Sequence, residues 1–258
     1  MMISKKVVVI GAGAAGLMAG ATAALYGASV TIIEKNKRVG RKIMITGKGR
    51  CNLANNCDVQ TFINNVSVNG RFLYSAINAF TPEDTIEFFE SKGLKTKTER
   101  GNRVFPASDK SVDVVDTMHD YAVESGCKIV CDTANALILE DGAVIGVKCE
   151  ENTYYADSVI ICCGGKSYPL TGSTGDGYTL AKQAGHTIVP LKPSLVPFTS
   201  GDKQCKDMQG LALKNVALRI VDKNSKKTVY SDFGEMLFTH FGMSGPMILS
   251  ASSHIRDI

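Results

Sequence analysis

The sequence holds eight cysteines but no CxxC pair, which removes the zinc-ribbon and thioredoxin-like readings. Several cysteines sit in apolar runs, as in VIICCGG (Val159 to Gly165). At 258 residues the chain is long enough to bury a core without disulfide staples. Reduced thiols in a cytoplasmic protein are therefore expected. A strong charge of one sign is also missing. Twenty-nine basic against 25 acidic side chains leave a net +4, too mild to demand a nucleic acid. Repeats and low-complexity tracts are absent.

Charge vanishes altogether from Val7 to Ile33, just after Lys5 and Lys6, which imitates a signal peptide or membrane helix. The stretch is built from Gly and Ala rather than Leu, and it splits into two β-branched runs around a small-residue segment. Strand, tight turn, helix and second strand explain it better, so no membrane is expected.

What fills this stretch is a dinucleotide fingerprint. Lys6 to Ile10 reads as a buried strand, Gly11-Ala12-Gly13-Ala14-Ala15-Gly16 as GxGxxG, and an Ala-rich helix runs to about Tyr26. Gly27 ends the helix, Ser29 to Ile33 is the next strand, and Glu34 follows directly. Gly11 allows the turn, Gly13 admits a diphosphate to the backbone, and Gly16 lets helix and strand close up. The helix N-terminus offers free N–H groups to phosphate, and Glu34 suits the ribose hydroxyls. An ADP-containing cofactor follows, with NAD and FAD still to be separated.

The next stretch separates them. GRKIMITGKGRCNLAN (Gly40 to Asn55) has neither helical nor strand period, and seven basic residues but no acid lie between Lys35 and Arg50. It is no Walker A loop, because Gly40 and Gly47 are too far apart and Gly49 follows Lys48. A glycine six residues beyond Glu34, followed by Arg41 and Lys42, is the layout of FAD enzymes of the glutathione-reductase type. Arg41 and Lys42 are placed at the diphosphate, Thr46, Gly47, Arg50, Cys51 and Asn52 along the ribityl chain and ring, and Lys35 is a further cofactor-binding candidate.

The second half of that layout lies downstream. Ala134 to Leu139, Ala143 to Glu150 and Asn152 to Ala156 alternate as an antiparallel meander, with Ala134 at the cofactor. ADSVIICCGG (Ala156 to Gly165) reads as a parallel strand ending in a glycine turn, which puts Cys163, Gly164 and Gly165 at the site. Thr174-Gly175-Asp176-Gly177 opens a helix to about Ala184, with Gly175 and Asp176 as a second approach to the cofactor.

Four segments in order, GRKIMITGKGRCNLAN, TGSTGDGYTLAKQAGH (Thr171 to His186), LKPSLVPF (Leu191 to Phe198) and GEMLFTHFGMSGP (Gly234 to Pro246), resemble the bacterial flavoprotein family of aminoacetone-oxidase-like and bile-acid-reductase-like FAD-dependent oxidoreductases. The usual family form ends its first motif in CNxTN; Ala54 replaces that threonine here. The resemblance implies an α/β, Rossmann-like FAD domain with an inserted, mainly β substrate domain. We place the boundary at the proline-rich stretch from Pro190, giving 1–190 as the FAD domain and 191–258 as part of the insertion. A closing segment of the FAD domain is expected to be missing.

The implied activity is hydride transfer through flavin N5 to or from a small organic substrate, with NAD(P)H a candidate reductant and no nucleic-acid partner. The alternatives are a flavin-linked RNA-modifying protein and a truncated, non-catalytic dinucleotide-binding fragment. Arg50 is the candidate for stabilising reduced flavin, Cys51 the candidate thiol beside the ring, and His240 the candidate acid–base group. Cys51 and Cys57, in CNLANNC, are one residue too far apart for the CxxxxC redox pair of glutathione-reductase-like enzymes. Elsewhere, Thr81, Pro82 and Asp84 predict a capped helix. Ser108 or Asp109 is expected to cap another, with Val112, Val115, Met118 and Ala122 on its buried face.

Overall fold

A computed structural model describes residues 4–255; the outer bounds assigned above, residues 1 and 258, lie outside them. The chain divides into two units, 1–63 with 71–188 and 64–70 with 189–258.

The first unit is built on the βαβ start. Strand β1 (Lys6–Ile10) runs into helix α1 (Ala14–Leu25) and strand β2 (Ser29–Glu34), followed by a short helix α2 (Arg41–Ile45) and strand β3 (Ala54–Asn55). Helices α3 (Val59–Asn64), α4 (Tyr74–Ala79) and α5 (Pro82–Ser91) come next, then the hairpin β4 (Thr96–Glu99) and β5 (Arg103–Pro106). Helix α6 (Ser111–Glu124) leads to β6 (Lys128–Cys131), the meander β7 (Ala134–Glu140), β8 (Ala143–Cys149) and β9 (Thr153–Tyr155), then β10 (Ser158–Ile161) and α7 (Asp176–Gln183).

The central sheet has the order β10-β1-β2-β6, and all three pairings are parallel. Parallel strands need both faces covered, and alternate residues of β1 and β2 do the sorting. Val9, Val30 and Ile32 pack with Leu17 and Ala21 of α1 and Val115, Met118 and Ala122 of α6. Val8, Ile10 and Ile33 pack with Leu137, Val147 and Leu180, from the meander and α7. This is the doubly covered arrangement expected of a Rossmann-like FAD fold. Leu17 and Ile32 are fully buried, and truncating either to Ala costs about 2–5 kcal/mol.

Local expectations are met at α5, where Thr81 and Asp84 form a reciprocal capping box with Pro82 at the start. At α6 they need correction. Lys110 occupies the N-cap, and no side chain caps that position. Asp109 has left-handed φ (57°), and its carboxylate is taken by Arg50 and Lys97. The buried face uses Val114, not Val112, beside Val115, Met118 and Ala122.

The second unit holds one antiparallel sheet formed by β11 (Phe198–Thr199), β12 (Ala212–Val221), β13 (Thr228–Thr239) and β14 (Gly242–Ser244), in the order β11-β14-β13-β12. A short helix α8 (Lys203–Asp207) and a longer α9 (Pro246–His254) complete it. Met247 and Ile248 of α9 pack on Met236, Leu213, Val216 and Phe238.

Candidate functional site

The turn after β1 shows why its glycines are glycines. Gly11 has φ +102°, and a Cβ there would lie 2.6 Å from the Cys162 carbonyl oxygen. A Cβ on Gly16 would come within 1.7 Å of the Gly11 oxygen, so Gly16 is what lets α1 sit against the turn. Gly13 is different: a Cβ there would meet nothing within 4 Å. Its space opens into a cavity of about 870 Å³.

Gly13 is also the N-cap of α1, with no side chain bonded to the cap and no acid in the first turn. Helix-terminal N–H groups that no side chain satisfies attract an anion. Gly11, Ala12, Gly13, Ala14 and Ala15 all line the cavity.

Glu34 closes the next stretch of wall. Its Oε2 accepts from the Ala12 N–H at 2.8 Å, and its Oε1 accepts from the Asn36 backbone (2.9 Å) and side-chain amide (2.6 Å). The carboxylate is thereby fixed at the end of β2, with one acceptor site, on Oε2, left for a ribose hydroxyl. Arg41 Nη1 donates to Asn36 Oδ1 at 2.6 Å. Lys42 approaches Ser167 Oγ at 3.4 Å. Arg41 and Lys42 line the cavity with Lys35, Thr46, Cys51 and Asn52.

Across from them, Lys35 Nζ donates to Asp176 Oδ2 (2.6 Å) and Thr174 Oγ1 (2.8 Å). Burial pushes the Asp176 carboxyl up, but the bonds from Lys35 and Thr174 outweigh it and hold it below its ordinary value. Ala134, Cys163 and Gly164 complete the expected wall.

Five of the expected cofactor residues stay out of the lining: Gly16, Gly47, Arg50, Gly165 and Gly175. Gly16 packs the helix. Gly47 has φ +54° and no room for a side chain, since a Cβ would lie 2.8 Å from the Asn52 nitrogen and 3.1 Å from the Phe105 ring. Gly175 is the left-handed N-cap of α7, covered by the Lys166 side chain. Gly165 abuts the Tyr178 hydroxyl.

Arg50 turns to the hairpin. Its guanidinium bonds Glu99 and, at 2.7 Å, Asp109, and lies 4.1 Å over the Phe105 ring. Cys51 is 5% exposed with φ +60°, and burial pushes its thiol up. Left-handed backbone at Lys48 and Cys51 costs about 1–2 kcal/mol each, so the loop is held in its shape by its surroundings. All eight cysteines are free thiols. Burial, with Asp176 nearby, pushes Cys163 up to about 11. His240 is exposed on the turn between β13 and β14 in the second unit, edge-on to Phe241 at 4.9 Å.

The structure adds residues that the sequence did not announce. Asp132 lines the cavity and is the one buried charged side chain among the described residues. Burial pushes its carboxyl up, but donors outweigh that and hold it below the ordinary range. They are the Thr133 (2.8 Å) and Glu151 (3.2 Å) amides, the Asn152 side chain (3.2 Å) and the Tyr154 hydroxyl (3.4 Å). Asn36, Ser173, Thr85 and Phe89 also line the cavity. Among the described residues no side-chain cluster suits a metal ion, and no helix is long and apolar enough to cross a membrane.

The open space at Gly13, the helix terminus, the fixed carboxylate and the cations beyond it suit a dinucleotide with a diphosphate, and comparison with known proteins agrees. Residues 5–251 match the family model described as HI0933-like protein Rossmann domain. A 3-dehydro-bile acid delta(4,6)-reductase of Clostridium scindens is 31% identical over 250 residues, 96% of this chain and 59% of that protein. A ribosomal RNA dihydrouridine synthase of Escherichia coli is 31% identical over 96% of this chain and 60% of its own length. One of Haemophilus influenzae is 30% identical over 96% and 61%. The chain thus spans about 60% of the length of these relatives.

Among solved structures, Mycobacterium smegmatis Sdh1 in complex with UQ1 superposes with a TM-score of 0.53 at 20% identity, over 70% of this chain and 38% of that one. L-proline dehydrogenase from P. horikoshii gives 0.50 at 15% identity, over 75% and 59%. At such identities these two show the fold. The cofactor of this family is FAD.

Proposed function

This chain belongs to the HI0933-like family of FAD-dependent oxidoreductases, and from that premise we propose that the protein reduces a carbon–carbon double bond conjugated to a carbonyl in a small organic substrate. The observation that carries the reading is that the relatives differ in substrate but share this chemistry. A delta(4,6)-reductase of a 3-dehydro-bile acid and a dihydrouridine synthase each saturate a double bond in conjugation with a carbonyl group.

FAD, when bound, supplies the hydride. The chain supplies everything that fixes where it is delivered. The α1 N-terminus and Arg41 and Lys42 would hold the diphosphate, and Glu34 would hold the ribose. Thr46, Cys51 and Asn52 form the wall beyond. Saturating a polarised double bond also needs a proton at the second carbon. The modest net charge supports a small-molecule substrate. A second reading, uracil within ribosomal RNA, is favoured by two of the three relatives.

The test uses the full-length protein, loaded with FAD and reduced anaerobically. A 3-oxo-4-ene steroid and a ribosomal RNA transcript are offered separately, and flavin reoxidation is followed together with the mass of the product. Faster reoxidation and a gain of two hydrogens on the steroid are expected. The same outcome on the RNA alone would replace the first reading by the second. Reoxidation by neither, or a protein that takes up no flavin, would remove both.

A further inference from the structure

Arg50, expected to serve the flavin directly, faces away from the cavity, and its partners point to another role. We propose that Arg50 is a positioning residue: with Glu99 and Asp109 it clamps the loop from Thr46 to Asn52 onto the β4–β5 hairpin, and so holds Cys51 and Asn52 in the cavity wall in the shape that receives FAD.

The shape of the loop is costly to hold. Gly47, Lys48, Gly49 and Cys51 all have left-handed φ, between 54° and 86°, and two of the four carry side chains. Its own backbone bonds include Arg50 N–H to the Gly47 and Thr46 oxygens and Cys51 N–H to Thr46 at 3.0 Å. What opposes relaxation lies outside the loop. Arg50 Nε donates to Asp109, and Nη2 to Glu99. Lys97 bonds the other Asp109 oxygen at 2.6 Å and approaches Glu99 at 3.8 Å, so two cations and two carboxylates alternate.

Beneath them is Phe105, 4% exposed. Its ring carries the Arg50 guanidinium on one side and closes on Gly47. The Asn52 amide, turned nitrogen toward the hairpin, donates to Val104 and Ala54 oxygens at 3.1 and 2.9 Å. A planar guanidinium can bond two carboxylates and stack on a ring at once; an ammonium cannot. Arginine therefore suits this position better than lysine. The side chains of the clamp are each about one-third to two-fifths exposed, so salt weakens it. The inference needs the FAD assignment and is independent of the substrate reading.

Two readouts test it on the full-length protein: the rate at which iodoacetamide alkylates Cys51, mapped by peptide mass spectrometry, and the dissociation constant of FAD. The variants are Arg50→Ala, Arg50→Lys and the pair Glu99→Gln with Asp109→Asn. Exposed Cys131 is the internal reference.

Arg50→Ala is expected to speed Cys51 alkylation about tenfold without FAD and to weaken FAD about tenfold. The carboxylate pair should match it, Arg50→Lys should fall between, and combining all three changes should add little. Should Arg50→Ala fail to fold, the carboxylate pair carries the same tenfold expectation and Arg50→Lys the intermediate one. Cys51 protected and FAD tight in every variant that folds would overturn the clamp. So would tight FAD and a protected Cys51 with lost turnover, which would return Arg50 to the reacting atoms.

Discussion

The Ala12 amide donates to Glu34 Oε2 at 2.8 Å, tying the glycine turn to the end of the second strand across 22 residues. The carboxylate is oriented before any ligand arrives. Glu34→Ala should therefore weaken FAD by roughly ten- to hundredfold, the range for losing charge-assisted hydrogen bonds. Fluorescence titration with FAD reads it directly. Unchanged affinity would place the ribose elsewhere.

Gly13 and Gly16 predict opposite phenotypes. Gly13→Ala meets open space and has φ −82°, so the apo protein should keep its Tm while losing flavin to the new methyl group. Gly16→Ala drives a Cβ into the Gly11 carbonyl. Overpacking of that kind costs about 1–3 kcal/mol, or a Tm drop of roughly 3–10 °C. Calorimetry with and without FAD separates the two. Equal loss of Tm in both variants would contradict the geometry.

Asp132 predicts an acid limit. Its donors hold its folded-state pKa below the ordinary carboxylate value, so the stability it contributes is present above about pH 4. That contribution is lost as the pH falls through the depressed value. Asp132→Asn should lower Tm at neutral pH and flatten the decline below about pH 4. Parallel wild-type and variant curves would show the charge to be irrelevant.

Thiol labelling gives a fourth check. Cys131 is exposed, while Cys163 and Cys149 are each pushed up to about 11, chiefly by burial. At neutral pH iodoacetamide should modify Cys131 rapidly and leave Cys149 and Cys163 intact in the folded protein. Rapid loss of Cys163 would mean the wall of the cavity opens.

The readable parts of this chain were those whose chemistry is local. The turn at Gly11 to Gly16, the acid closing β2 and the box of Thr81 and Asp84 each put cause and effect within a few tens of residues. Asp132 was invisible because its donors lie on the turn beside it, on the turn joining β8 to β9 and on β9, and only folding gathers them. Thr85 and Phe89 were missed for the same reason, since an ordinary amphipathic pattern does not say that its face borders a cavity. Asp109 was misread because helix capping competes with ion pairing, and two cations from distant positions win. Arg50 was seen as important for its place in a basic loop, yet its direction is decided by Glu99 and Asp109, 49 and 59 residues away.

The floor under Gly11 has a consequence for biosynthesis. It is the Cys162 carbonyl, which follows β10, and β10 pairs with β1 as Val7 with Ser158. A nascent chain that has not yet emerged past residue 162 owns the whole glycine signature but lacks the surface that shapes it. Flavin capture is thus a late step, after some 150 residues of loop have closed.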